Sequence, residues 1–181
     1  MGTLRFRISD RQWLAPSAVD RIVVSGIESF ARTTRAVWDG GILVVEFADG
    51  TSGAVHVPWE VAGQGEMTLS TASLLERDTP YLLDLELARG LIGQIRSQLA
   101  SWQPAGLVVS DEIRGSLSEA VEALSQAVTA GTTGNGINQQ SQRSLTLALD
   151  VAVELGSTYA RQAIAMRQQE TDPLPTLLGS D

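Results

Sequence analysis

The 181 residues contain no cysteine, no lysine and a single histidine, His56. Without cysteine there is no disulfide framework, thiolate nucleophile or zinc ribbon. The compartment is left open by that absence, because a large enough core needs no disulfide. Without lysine there is no Schiff-base chemistry and no phosphate-binding P-loop. One histidine does not build a His-rich metal site, and no G-x-S-x-G elbow accompanies it to complete a hydrolase triad. No cofactor or metal is therefore expected. Long apolar runs are also missing, so no membrane span is expected. The opening "MGTLRFRISDRQW" lacks the continuous apolar region of a signal peptide. Gly2 invites a myristoylation reading, but Phe6 stands where that motif wants Ser or Thr. The expectation is a soluble chain, cytoplasmic by default, without a membrane partner. Positive charge is scarce as well: 13 arginines face 21 acidic residues, for a net charge of −8. Such a surface repels a phosphate backbone, which excludes nucleic acid as the expected partner. The only clustered arginines, Arg5, Arg7, Arg11 and Arg21, are interrupted by Asp10 and Asp20.

What the sequence does have is 43% hydrophobic residues, enough for one compact domain or two small ones sharing a core. Over residues 1–78 the apolar period is short. "TLRFRIS" alternates Leu4, Phe6 and Ile8 with Arg5 and Arg7, as a half-buried strand does. "DRIVVSGI" is a second apolar run. "GILVVEFADGTSGAVHVPW" reads as a hairpin turning at Asp49-Gly50. In "GEMTLSTASL", Met67, Leu69 and Thr71 alternate again. Short strands between glycine-bearing turns predict an antiparallel sandwich or roll.

Over 79–170 the period lengthens. "PYLLDLELARG" fits a strand over its first residues, since Leu83, Leu85 and Leu87 alternate with Asp84 and Glu86. Yet Tyr81, Leu85, Ala88, Ile92, Ile95, Leu99 and Trp102 follow a 4-3 rhythm for more than twenty residues, too long for a strand. A helix is predicted, with Leu83 and Leu87 covered on a second side by the sheet. A second helix spans about Asp111–Ala130, with Leu117, Val121, Leu124 and Val128 on its seam. It is capped either by a Ser116–Glu119 box or earlier by Ser110 or Asp111. "GTTGNG" (131–136) reads as a connector, and a third helix runs over about Gln139–Gln169 with Leu145, Leu149, Ala152, Gly156, Tyr159, Ala163 and Met166 inward. Ala148, Ala152, Gly156 and Ala160 make a small-residue stripe that admits a neighbouring helix, a role open to Gly90 and Gly93 too. The predicted fold class is α+β, an antiparallel β-sandwich or roll followed by an antiparallel three-helix bundle. Residues 171–181 form an extended tail or linker.

Candidate chemistry is sparse. On a helix Asp84 and Glu86 point apart, which argues for a solvated or sheet-facing polar stripe rather than a catalytic pair. No catalytic residue is assigned, and a carboxylate-based hydrolase ranks last among the readings. Four aromatic or polar side chains remain as ligand-binding candidates: Trp38, Trp59, Trp13 and His56. Each tryptophan is most simply core, because indole buries a large area. Trp38, followed by "DGG", looks most like a platform carried by a loop. His56 alternates with Val55, Val57 and Trp59 and is read as an exposed or rim residue.

At "YLLDLELARGLIGQIRSQLASWQPAGL" and "LPTLLG", the chain resembles the amino-terminal, non-catalytic region of bacterial xylanase-like proteins of glycoside hydrolase family 10. No catalytic residue transfers, since no stretch matches the family's glutamate motifs. The resemblance implies an accessory β-sandwich that binds polysaccharide or oligosaccharide, joined to a helical spacer. It also implies a downstream catalytic domain. The alternative is a structural module that forms a homo-oligomer through its helices.

Overall fold

A computed structural model describes residues 1–26, 28–130 and 135–169. In chain order the elements are β1 (Gly2–Arg7), β2 (Val23–Ser25), β3 (Ala31–Arg32), β4 (Thr34–Asp39), β5 (Ile42–Phe47) and β6 (Ser52–Val61). They continue with β7 (Gly65–Ser70), β8 (Leu74–Leu75), β9 (Tyr81–Leu82), α1 (Leu83–Trp102), α2 (Asp111–Thr129) and α3 (Asn135–Gln169). Short 3-10 turns at Arg11–Trp13 and Pro16–Arg21 link β1 to β2. One sheet has the order β4-β5-β1-β9 and the other β3-β2-β6-β7, with β8 also on β6. Every pairing is antiparallel except that of β1 with β9. The fold class is α+β.

The alternating segments behave as strands. Leu4 and Phe6 of β1, Leu43, Val45 and Phe47 of β5, and Val55, Val57 and Trp59 of β6 are all buried. The expected hairpin between β5 and β6 does not form. Both edges of β5 are taken, by β4 and β1, while β6 pairs with β2, β7 and β8. The Asp49-Gly50 corner does need positive φ (54° and 139°), but it carries the chain from one sheet to the other. The tight hairpin lies one strand earlier. Asp39 pairs with Ile42 across Gly40-Gly41, whose φ angles of 52° and 92° suit a two-residue primed turn.

"PYLLDLELARG" turns out to be both structures in succession. Tyr81 and Leu82 pair with Phe6 and Arg7, and the helix starts at Leu83. All six residues Leu83 to Ala88 are buried, so the first turns of α1 are enclosed on every side. Leu83 and Leu87 join the core cluster that also holds β1, β5 and β6, while Ile92 and Ile95 continue it along the helix. Beyond Ala88 the helix becomes one-sided, and Trp102 closes it by stacking on Tyr159 of α3, with ring centroids 4.3 Å apart. Pro104 follows, where a helix cannot continue.

The other helices shift their expected seams. Ser110 caps α2, its hydroxyl accepting from the Ile113 amide at 3.3 Å, so the Ser116–Glu119 box is not used. The buried line is Ile113, Ala120, Ala123 and Ala127, whereas Val128 is exposed. Alanines lie at the centre because α2 and α3 pack closely there, and the larger Leu117, Val121 and Leu124 flank the contact. Helix α3 begins at Asn135, inside the expected connector; residues 131–134 and the tail 171–181 lie outside the described residues. Of its expected seam Leu145 and Leu149 are buried, but the buried line then passes to Val151 and Leu155 while Ala152 and Gly156 are half-buried and Tyr159, Ala163 and Met166 exposed.

The expected role of the helical glycines is corrected. A Cβ on Gly90 would lie 2.0 Å from the Ser70 carbonyl oxygen, so this glycine lets α1 touch a strand, not a helix. At Gly93 and Gly156 a Cβ would meet nothing within 4 Å. Gly156→Ala should therefore stabilise the protein by about 1 kcal/mol through helix propensity alone. Gly90→Ala should destabilise it by roughly 1–3 kcal/mol or more, as overpacking against backbone does. Urea unfolding of the two variants checks both signs.

Candidate functional site

The three-residue turn Arg11–Trp13 organises one flank of the β region. Asp10 caps it, accepting from the Gln12 backbone amide at 3.0 Å and from the Gln12 side-chain amide at 2.7 Å. Arg11 then lies over the Trp38 ring, 4.1 Å from its centroid. Trp13 points the other way, and its indole Nε1 donates to Asn138 Oδ1 of α3 at 2.8 Å. A short turn thus ties the first sheet to the start of the longest helix.

Beside Trp13 lies an open groove of roughly 610 Å³, between the β region and α3. Ala62 of the β6–β7 loop lines one side, and Asn138, Gln139, Gln142, Arg143 and Thr146 the other. Those helical positions fall at i, i+1, i+4, i+5 and i+8, which is one face. Gln142 is only 6% exposed; its Nε2 and Oε1 are enclosed behind the groove wall without a hydrogen-bond partner among the described residues, so a ligand meets them only if the side chain turns outward. A buried amide left unpaired costs about 1–3 kcal/mol. Native structures contain few such groups, and each calls for a cause. An indole edge, three amides, a hydroxyl and a guanidinium around one groove suit a ligand with many hydroxyl groups.

Of the four residues singled out in the sequence, only Trp13 lines this groove. Trp38 is a strand residue of β4, paired with Leu43 and covered by Arg11, rather than the tip of a loop. Trp59 is 0% exposed, the largest of the fully buried side chains, so its ring faces the core and not a ligand. His56 is half-buried between two hydroxyls, with Nε2 at 2.8 Å from Ser25 Oγ and Nδ1 at 2.6 Å from Ser70 Oγ. Burial lowers its pKa and keeps the ring neutral. The α3 residues of the groove went unnoticed in the sequence. Their only signal was the amide-rich run "NQQSQR" just off the apolar seam.

The two carboxylates of α1 are not solvated. Asp84 is fully buried and accepts from the Ser9 hydroxyl at 2.5 Å, while its Oδ1 has no partner among the described residues. Glu86 is buried too and pairs with Arg89 at 2.8 Å. The groups do not converge on a common point, and neither lines the groove. Among the described residues no three His, Asp or Glu side chains gather as metal ligands, and no helix is long and apolar enough to cross a membrane. Neither a protein family, a curated protein nor a solved structure matches this chain.

Burial raises the pKa of Asp84 above its ordinary value, against the opposing hydrogen bond from Ser9. The folded state therefore holds this proton more tightly than the unfolded one. Its contribution to stability is complete below the unfolded pKa and is lost as pH rises through the folded value. Asp84→Asn keeps an acceptor for Ser9 without the charge. Its stability relative to wild type should be smallest at about pH 3.5 and rise toward pH 7. Urea midpoints of both proteins across that range measure the difference; a flat difference would mean that ionised Asp84 is not disfavoured.

Proposed function

We propose that the chain is a non-catalytic accessory module that binds glycan in the groove beside Trp13. In this reading the β region is a sandwich of its two sheets, and the helices form a bundle that docks or orients a downstream catalytic domain. The observation that supports it most is Gln142, a buried amide without a partner on the wall of a groove that also presents an indole. Sugars offer apolar C–H faces to aromatic rings and hydroxyls to amides, and a ligand hydroxyl is both donor and acceptor. The likeness of residues 81–107 to the non-catalytic region of xylanase-like proteins points the same way. Trp59 is withdrawn from the binding set by its burial, and Trp38 by the guanidinium that covers it.

Gln142→Met separates this reading from a purely structural one. Replacing an unpaired buried amide with an apolar chain of similar length should raise the stability of the free protein by about 1 kcal/mol. The same change should weaken glycan binding at least tenfold, about 1.4 kcal/mol. Affinity electrophoresis against a panel of soluble polysaccharides, beside urea unfolding, reads both effects. Trp13→Ala should also lose binding, whereas His56→Gln should keep it. Unchanged binding in both the Gln142 and Trp13 variants would remove the groove from the proposal.

A second reading, self-association through the helices, is favoured by the far half of α3. Val153 and Ile164 are 65% and 58% exposed, on the same face as Gly156 and Ala160. An antiparallel pair of such helices would lay each Glu154 near the Arg161 of the other copy, as a two-fold contact requires. Sedimentation should then show a dimer for wild type and a monomer for Gly156→Leu. A monomeric wild type at high concentration rejects this reading.

A further inference from the structure

Arginine is the only cation this chain has, and most of the arginines near the sheets are engaged. Arg21, Arg35, Arg89 and Arg161 form the four ion pairs among the described residues. Arg11, Arg32 and Arg77 lie over Trp38, Phe47 and Tyr81. Arg143 does neither among the described residues, and its side chain lines the groove next to Gln142. No aspartate or glutamate shares that lining, although acidic residues outnumber basic ones by 21 to 13 in the chain. Asp10 bonds to the lining residue Asn138 without itself lining the groove. It is occupied by Gln12, and Asn138 Nδ2 donates to it at 3.4 Å.

We infer that the groove recognises a carboxylate-bearing sugar, a uronate unit of an oligosaccharide, with Arg143 pairing its carboxylate and Gln142, turned outward from its enclosure, its neighbouring hydroxyl. This rests on the glycan reading of the same groove and adds the class of sugar. The guanidinium fork matches a carboxylate with two parallel N–H···O bonds, a stronger and more directional contact than any neutral hydroxyl makes. The amide of Gln142 offers two donors and one acceptor beside it. A sugar acid thus supplies the groove's one uncompensated charge and its one unpaired amide at once.

Matched probes test this. Three oligouronates (galacturonate, glucuronate and mannuronate trimers) and their carboxyl-reduced neutral counterparts are titrated into the full chain by calorimetry, in low salt and in 0.5 M NaCl. At least one uronate should bind tenfold or more tightly than its neutral counterpart, and added salt should shrink that ratio. In Arg143→Gln the ratio should fall close to one, with Arg143→Lys between, since lysine keeps the charge and loses the fork. Equal affinity for a uronate and its neutral counterpart in wild type would overturn the inference and leave the glycan reading standing. Binding of none of the six would overturn both. A uronate preference that survives Arg143→Gln would also overturn it, placing the carboxylate at another cation.

Discussion

Helix α1 passes so near the end of strand β7 that only the missing side chain of Gly90 clears the Ser70 carbonyl. Much else depends on that contact. It presses the first turns of α1 between the sheets and the other helices, so that Leu83 to Ala88 are all buried. A single hydrophobic cluster then runs from β1, β5 and β6 through α1 into α2 and α3. The buried Asp84 is the electrostatic cost of the arrangement, because a helix enclosed on every side must enclose its polar positions too. Ser9 answers one of its oxygens and leaves the other bare.

The absence of lysine acquires structural content at this junction. A planar guanidinium stacks on aromatic faces where an ammonium makes only a point contact. Among the described residues Arg11, Arg32 and Arg77 lie over aromatic rings, and Arg77 (3.4 Å) covers Tyr81 of the two-residue strand that leads into α1. The ion pairs matter less. The pair of Arg21 and Glu66 is bidentate, at 2.8 and 2.7 Å, but half its surface is in water, and exposed pairs contribute about 0–1 kcal/mol.

Local periodicity made most elements legible, and what it missed has a common cause. Alternation placed β1, β5, β6 and β7, and the 4-3 rhythm placed α1 with its end at Trp102. Pairing was not legible, because both Asp49-Gly50 and Gly40-Gly41 allow a hairpin and only the occupied edges of β5 decide between them. Strand β9 was hidden because two residues carry no period. The seams of α2 and α3 drifted for a related reason. A rhythm of large residues marks where a helix is apolar, but the closest contact runs along small ones such as Ala120, Ala123 and Ala127, which barely raise that signal.

The groove was illegible for a different reason. Its residues come from a turn at 11–13, a loop at 62 and a helix face at 138–146, and no one of these is unusual alone. Trp13 was visible as a large aromatic, yet its sequence says nothing of Asn138, 125 positions away, to which it is bonded. Gln142 looks in the sequence like any polar residue of a helix. Only folding reveals that it is enclosed without a partner among the described residues, and an apolar residue there would suit the fold better. Natural proteins tolerate such local defects where a bound state repairs them. A residue that weakens the fold from just beneath a groove is therefore a sharper sign of function here than any of the buried tryptophans.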